Sequence, residues 1–282
     1  MMRNPIIICA DDFALNSGVS TAIAQLAEQG HISATSAMSL SPHWPEHAQW
    51  LKPLSQHIDV GLHLDWTSPF AASAGHGCKL STLMRHSLTG NIDKKQAQAV
   101  IEAQLDLFEA YWGTAPSHVD GHQHIHQFPI IRDALIQSMT ARYPTESRPW
   151  LRISRPLKPG MDIKSWVIWG MGAHALQRQA QQAGVPHSTW LTGIYGFSGD
   201  HSDYETRMNA WLAQVHRKQC VVLMCHPGQD VDDNRDEIGA ARNVEFGFLS
   251  SAAFTTMLGK NRLYPAQGQQ TINTAMKACV RL

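Results

Sequence analysis

Short apolar runs alternate with longer amphipathic ones along the whole chain, and this alternation restricts the fold more than any other feature. "PIIICA" reads as a first strand buried on both faces. "SGVSTAIAQLAEQG" follows as a helix, with Ser17 as N-cap and Gly30 closing it. "TSAMSL" and "IDVGLHLDW" read as the next strands, with a short helix, "WPEHAQWLK", between them. Residues 66–92 are rich in Ser, Gly and Ala and read as a long loop, placed to act as a lid or as the interface of a homo-oligomer. "KKQAQAVIEAQLDLFEAYWG" is a helix with Ala97, Ile101, Leu105, Phe108 and Trp112 in one stripe. Strands "SHVDGH", "WLRIS", "TWLTGIYGF" and "CVVLMCHPG" then alternate with helices at "PIIRDALIQSMTARY", near 164–183 and at "YETRMNAWLAQVHRK". A helix over 240–258 and a weak tail end the chain. Roughly seven strands alternating with helices predict an α/β fold with a parallel sheet, open or closed into a barrel. The 282 residues suit one domain, 1–282.

Charge narrows the function. Lys+Arg and Asp+Glu are both 23, so no basic field exists to hold nucleic acid or an anionic membrane. No apolar run approaches the ~20 residues of a membrane-spanning segment, and "PIIICA" is too short for a signal-peptide core. Five cysteines, with no CxxC among them, suit reduced thiols in a cytoplasmic protein.

In a parallel α/β sheet the functional groups gather at the C-terminal strand ends. Those ends carry Asp11 and Asp12, His63, the run "HVDGHQHIH" with Asp120, His122, His124 and His126, then Arg152, then His226 in "CHPG". Two imidazoles and a carboxylate from different strands make a divalent-metal site with open positions. No Lys or Arg adjoins the Asp11–Asp12 pair in sequence, so a nearby cation explains two neighbouring carboxylates better than a salt bridge does. Each group also has a plain structural reading: the aspartates as a helix N-cap, His63 as a core histidine, "CHPG" as a turn, Arg152 as a partner of a structural carboxylate. Cys225 and His226 would point to opposite faces of a strand and do not form a nucleophile–base pair. There is no GxSxG elbow, P-loop or GxGxxG after the first strand.

The ordered motifs "ADDFALNSGV", "GHISATSAMS", "VGLHLDWT", "HVDGHQHIHQFP", "LRISRP" and "VVLMCHPG", followed by "ARNVEFGFL", resemble those of the YdjC-like carbohydrate deacetylases. The resemblance implies a distorted (β/α) barrel of the glycoside hydrolase/deacetylase type with about seven parallel strands. It implies hydrolysis of the N-acetyl group of an amino sugar or oligosaccharide, with one divalent metal ion, zinc or magnesium, held by Asp12, His63 and His122. By motif position Asp11 is the catalytic base and His226 the general acid. Arg152, Asp120, His124 and Trp66 are expected to bind substrate or support these groups, and Trp169, Tyr195 and Phe197 are further aromatic candidates for a sugar face. Ala14 stands where the family usually has glycine, and "DWTSPF" replaces a Gly-x-Pro segment. A metal hydrolase of another bond, such as a phosphoester, and a non-catalytic sugar- or metal-binding protein are the competing readings. An intact acid/base pair, Asp11 with His226, speaks against the second.

Overall fold

A computed structural model describes residues 3–157, 170, 172–215, 220–230 and 236–279. Eight strands occur among them: β1 (Asn4–Phe13), β2 (Ala34–Ala37), β3 (Asp59–Leu64), β4 (His118–Gly121), β5 (Trp150–Leu151), β6 (Trp190–Thr192), β7 (Val221–Cys225) and β8 (Leu263–Pro265). Seven lie in the order β5-β4-β3-β2-β1-β7-β6, every pair parallel. Among the described residues no ladder joins the edges β5 and β6; the isolated bridges Leu151–His187 and Pro156–Leu191 tie each to the segment beside the other. The result is a curled, incompletely closed barrel, as the strand–helix alternation and the family resemblance predict. β8, in the tail read as weak, pairs with the first residues of β1.

Eleven helices of the α type among the described residues surround it: α1 (Ser17–Glu28), α2 (Trp44–Leu51), α3 (Pro69–Ser73), α4 (Leu80–Thr89), α5 (Lys94–Trp112), α6 (Ile131–Arg142), α7 (Ala173–Gln182), α8 (His201–Leu212), α9 (Gly239–Leu249), α10 (Ala252–Lys260) and α11 (Gly268–Cys279). Ile6, Ile8 and Ala10 of β1 pack against the helices, whereas Ile7 and Cys9 face the barrel interior with Ala34, Trp150, Leu191, Val222 and Met224. This is why "PIIICA" carries no polar alternation: both faces of the strand are covered.

Three sequence expectations are corrected. The N-cap of α1 is Asn16, whose Oδ1 accepts from Val19 N, and not Ser17. Residues 66–92 are not one loop but hold α3 and α4, the first capped by Ser68, whose hydroxyl accepts from Phe70 N and Ala71 N. The helix expected over 240–258 is two, because Ser251 stops one and caps the next by accepting from Phe254 N. Of the helix expected near 164–183 the described part is α7; Trp169 lies outside the described residues.

One barrel position has no room for a side chain. A Cβ on Gly61 of β3 would lie 2.4 Å from the ring of His118 in β4. That ring is stacked on Trp150 at 4.4 Å on its other side. Gly61→Ala is expected to lower stability by roughly 1–3 kcal/mol, read as an earlier urea midpoint, because a rigid ring pinned by an indole cannot swing away.

Candidate active site

Strict strand alternation would send Asp11 into the barrel and Asp12 out to the helices. β1 avoids this with a bulge: its register against β2 shifts between Ala10 and Phe13, and Asp12 sits at φ +69. Aspartate tolerates this left-handed backbone better than most residues. Both carboxylates therefore open into the barrel mouth. Ala14, at φ +71, keeps the left-handed turn where the family usually has glycine, and its backbone is fastened by Ser20 Oγ on the N–H and Ser41 Oγ on the carbonyl.

Each aspartate has its own arginine, drawn from far along the chain, so salt bridges serve the pair although no Lys or Arg adjoins it in sequence. Arg152 donates from Nη1 to Asp11 Oδ1 at 2.6 Å and from Nη2 to Asp11 Oδ2 at 2.8 Å. Arg242 Nη2 donates to Asp12 Oδ2 at 2.7 Å, and its Nε donates to Asp236 Oδ2 at 2.6 Å. The other oxygen of Asp12, Oδ1, lies 3.4 Å from His63 Nε2 and 3.0 Å from His122 Nδ1. Burial alone would raise the Asp12 carboxyl, but Arg242 and His122 beside it hold it well below the usual carboxylate range.

Asp12, His63 and His122 bring one carboxylate oxygen and two ring nitrogens within 4.8 Å of one another. This donor set fits a divalent cation with open positions. The local charge fits as well. Among the described residues the arginine or lysine partners of Asp11, Asp12 and Asp120 are Arg152 and Arg242, two cations for three carboxylates. Burial disfavours a charge on His63, yet Asp120 and Asp11 raise it to about 10, so the pocket draws positive charge to the ring. Two other groupings come as close, Cys9–His118–Asp120 and Asp11–His63–Asp120. Arg152 sits against Asp11 and Asp120 and Ser36 fills the space between His118 and Asp120, so those atoms are already engaged.

The "HQHIHQ" run leaves β4 as a short 3-10 turn in which Gln123 (φ 53) and His124 (φ 61) are both left-handed. Such consecutive strain in non-glycine residues persists where surrounding contacts over-determine it. Here His124 Nδ1 meets Ser154 Oγ at 3.0 Å, His126 Nε2 meets the Arg152 carbonyl at 2.9 Å, and Gln127 Oε1 accepts from Ser154 N. The run is thus stitched to the segment after β5, and His122, 22 % exposed beside the buried His63 and Asp12, is left facing the mouth.

On the opposite wall His226 Nε2 lies 3.8 Å from Asp11 Oδ2. Burial lowers this ring to about 4 despite Asp11 and Asp12. Its backbone N–H donates to Glu245 Oε2 at 2.6 Å. Tyr195 and Tyr204 also donate to that carboxylate, and burial lifts it to about 7 against these donors. Phe197, at φ +56, sets its ring edge-to-face with His226 at 5.1 Å. Tyr195 is buried on Glu245, and Trp66, 4 % exposed, packs into the helix-side core with its ring against His76, so neither stands at the rim as a sugar face.

The structure therefore gathers Asp11, Asp12, His63, Asp120, His122, Arg152 and His226 as the sequence predicts. His124 lies behind them on Ser154. Arg242 and Glu245 received no role from sequence; both fall in "ARNVEFGFL", whose residues carry no local sign of the strand ends they reach.

His118 and His126 are held neutral down to about 4 by burial. The unfolded chain takes up these protons near 6.5. Stability is therefore expected to fall as pH drops from about 6.5 towards 4, measured as urea midpoints across that range.

The chain matches the family model described as YdjC-like protein over residues 5–260. It is similar to the chitooligosaccharide deacetylases of Yersinia pestis and Yersinia pseudotuberculosis, 29 % identical over 234 residues, covering 80 % of this chain and 82 % of theirs. Its fold is like that of an Enterococcus faecalis V583 protein suggested to act in cellobiose-phosphate cleavage, with TM-score 0.71, 17 % identity and 96 % and 99 % of the two chains covered. It is also like that of a peptidoglycan N-acetylglucosamine deacetylase, with TM-score 0.53, 10 % identity and 95 % and 88 % covered.

Proposed function

Since this chain belongs to the YdjC-like family, we propose that it is a metal-dependent carbohydrate N-deacetylase that hydrolyses the acetamide of an N-acetylated amino sugar or oligosaccharide. The observation that carries the reading is the divided aspartate pair: Asp12 turned to His63 and His122, Asp11 turned to Arg152 and His226. Asp12, His63 and His122 would hold the divalent ion, which supplies Lewis acidity to polarise a carbonyl and to make water a nucleophile near neutral pH.

The chain's own groups do the proton work. Asp11, fixed at both oxygens by Arg152, takes the proton of the attacking water. His226, a neutral ring 3.8 Å from Asp11, has to receive a proton before it can deliver one to the leaving amine, and Asp11 is its source. Glu245 holds the His226 backbone in place, and Phe197 covers one side of its ring. The same Phe197, beside His226, is the one of the described aromatic candidates placed to meet a sugar.

The test is acetate release from N-acetylated monosaccharides, chitooligosaccharides and a lipid-linked N-acetylglucosamine, with and without a chelator. The expected result is release that the chelator stops and added metal restores. His122→Ala is expected to weaken metal binding, measured by competition with a chromophoric chelator. A metal-loaded protein that releases no acetate from any of these sugars would move the function to another bond or to binding alone.

A further inference from the structure

Below the metal-ligand set lies a fully buried polar tier that the reaction does not touch. Asp120 Oδ1 accepts from His63 Nδ1 at 2.6 Å. Asp120 Oδ2 accepts from Arg152 Nη1 at 3.0 Å and from Ser36 Oγ at 2.6 Å. Ser36 Oγ is also 2.9 Å from His118 Nε2. A hydroxyl has one proton. Ser36 spends it on the carboxylate, so its oxygen accepts from His118 Nε2–H, and the tautomer of His118 follows. The ring that donates is itself fixed, flat between the Trp150 indole and Gly61. His118, Ser36 and Asp120 are each 0 % exposed, so no solvent competes for these bonds. His118 and Asp120 alternate with Val119 along β4, and both face inward.

We propose that His118 and Ser36 are positioning residues for the metal site. The relay from His118 through Ser36 to Asp120 keeps the His63 proton on Nδ1 and turns the Nε2 lone pair toward Asp12 and His122. Neither residue would touch metal or sugar. An outer partner that sets the tautomer and direction of a ligating imidazole typically governs about 10- to 100-fold in metal affinity. Arg152 alone does not replace the relay, because its Nη1 is shared with Asp11 and approaches Asp120 from one side only.

This inference rests on the metal reading of Asp12, His63 and His122, and the experiment separates the two. Zinc affinity of the full chain, Ser36→Ala and His118→Phe is measured by chelator competition, with the Co2+ visible spectrum recorded for each. The unfolding midpoint of each metal-free protein is measured alongside. His118→Phe keeps a flat ring against Trp150 and removes the N–H donor, so it serves if Ser36→Ala does not fold. The expected result is about tenfold weaker zinc binding in each, a shifted Co2+ spectrum, and a double variant no weaker than the worse single one. Either folded variant binding zinc as the parent does, with an unchanged Co2+ spectrum, overturns the relay, whatever its midpoint. A parent chain that binds no zinc or cobalt overturns the metal reading and the relay with it.

Discussion

Asp11→Asn is expected to lower kcat for acetate release by about 10³-fold while metal stays bound. The amide keeps the size of the side chain but removes its charge, so it cannot accept the water's proton. It also turns an N–H2 toward one of the two Arg152 nitrogens that now donate to Asp11. Asp12, with His63 and His122, is untouched by the change, so chelator competition should return the parent's metal affinity. Asp12→Asn should do the reverse, weakening metal binding first. Near-parent turnover in Asp11→Asn would take the base role away from Asp11.

The largest effect on stability is expected from Arg152→Met. The guanidinium is fully buried and bridges Asp11 and Asp120. Burial opposes its charge, but these two carboxylates outweigh that and hold it protonated. Removing it leaves two buried carboxylates without their cation, a change that typically costs about 3–5 kcal/mol. For a chain of this size that is a fall in Tm of about 6–20 °C, measurable by thermal unfolding. Arg152→Lys should recover only part of the loss, because a single ammonium cannot donate in parallel to both oxygens of Asp11. An unchanged Tm in Arg152→Met would mean that Asp11 and Asp120 find their compensation elsewhere.

Much of this was legible in the chain. Apolar strands ending in Asp or His read directly, because a parallel sheet covered on both faces allows polar groups only at its strand ends. The metal-ligand candidates and Arg152 came from that rule alone, and the family motifs assigned their roles. The stripe on α5 read directly as well: Ala97, Ile101, Leu105 and Phe108 are buried as their spacing requires.

Other features were not legible. Helices α3 and α4 are missed because the Ser-, Gly- and Ala-rich composition of 66–92 reads as loop, while a Ser68 cap and tertiary contacts settle it as helix. Arg242 and Glu245 lie on one helix, and nothing within "ARNVEFGFL" says that the first reaches Asp12 and the second the backbone of His226.

By itself, then, the sequence determined the layered parallel architecture, the rim on which the chemistry collects, and the residue types that occupy it. These depend on local periodicity and on which side chains water must be kept from. Only the tertiary structure decided how the aspartates share their work. The bulge at Asp12 turns a side chain that alternation would send outward, and arginines 141 and 230 residues away in the chain then take one carboxylate each. A backbone dihedral set by packing and a charge pairing across the barrel mouth leave no mark in local spacing, because both arise only when distant segments close on one another.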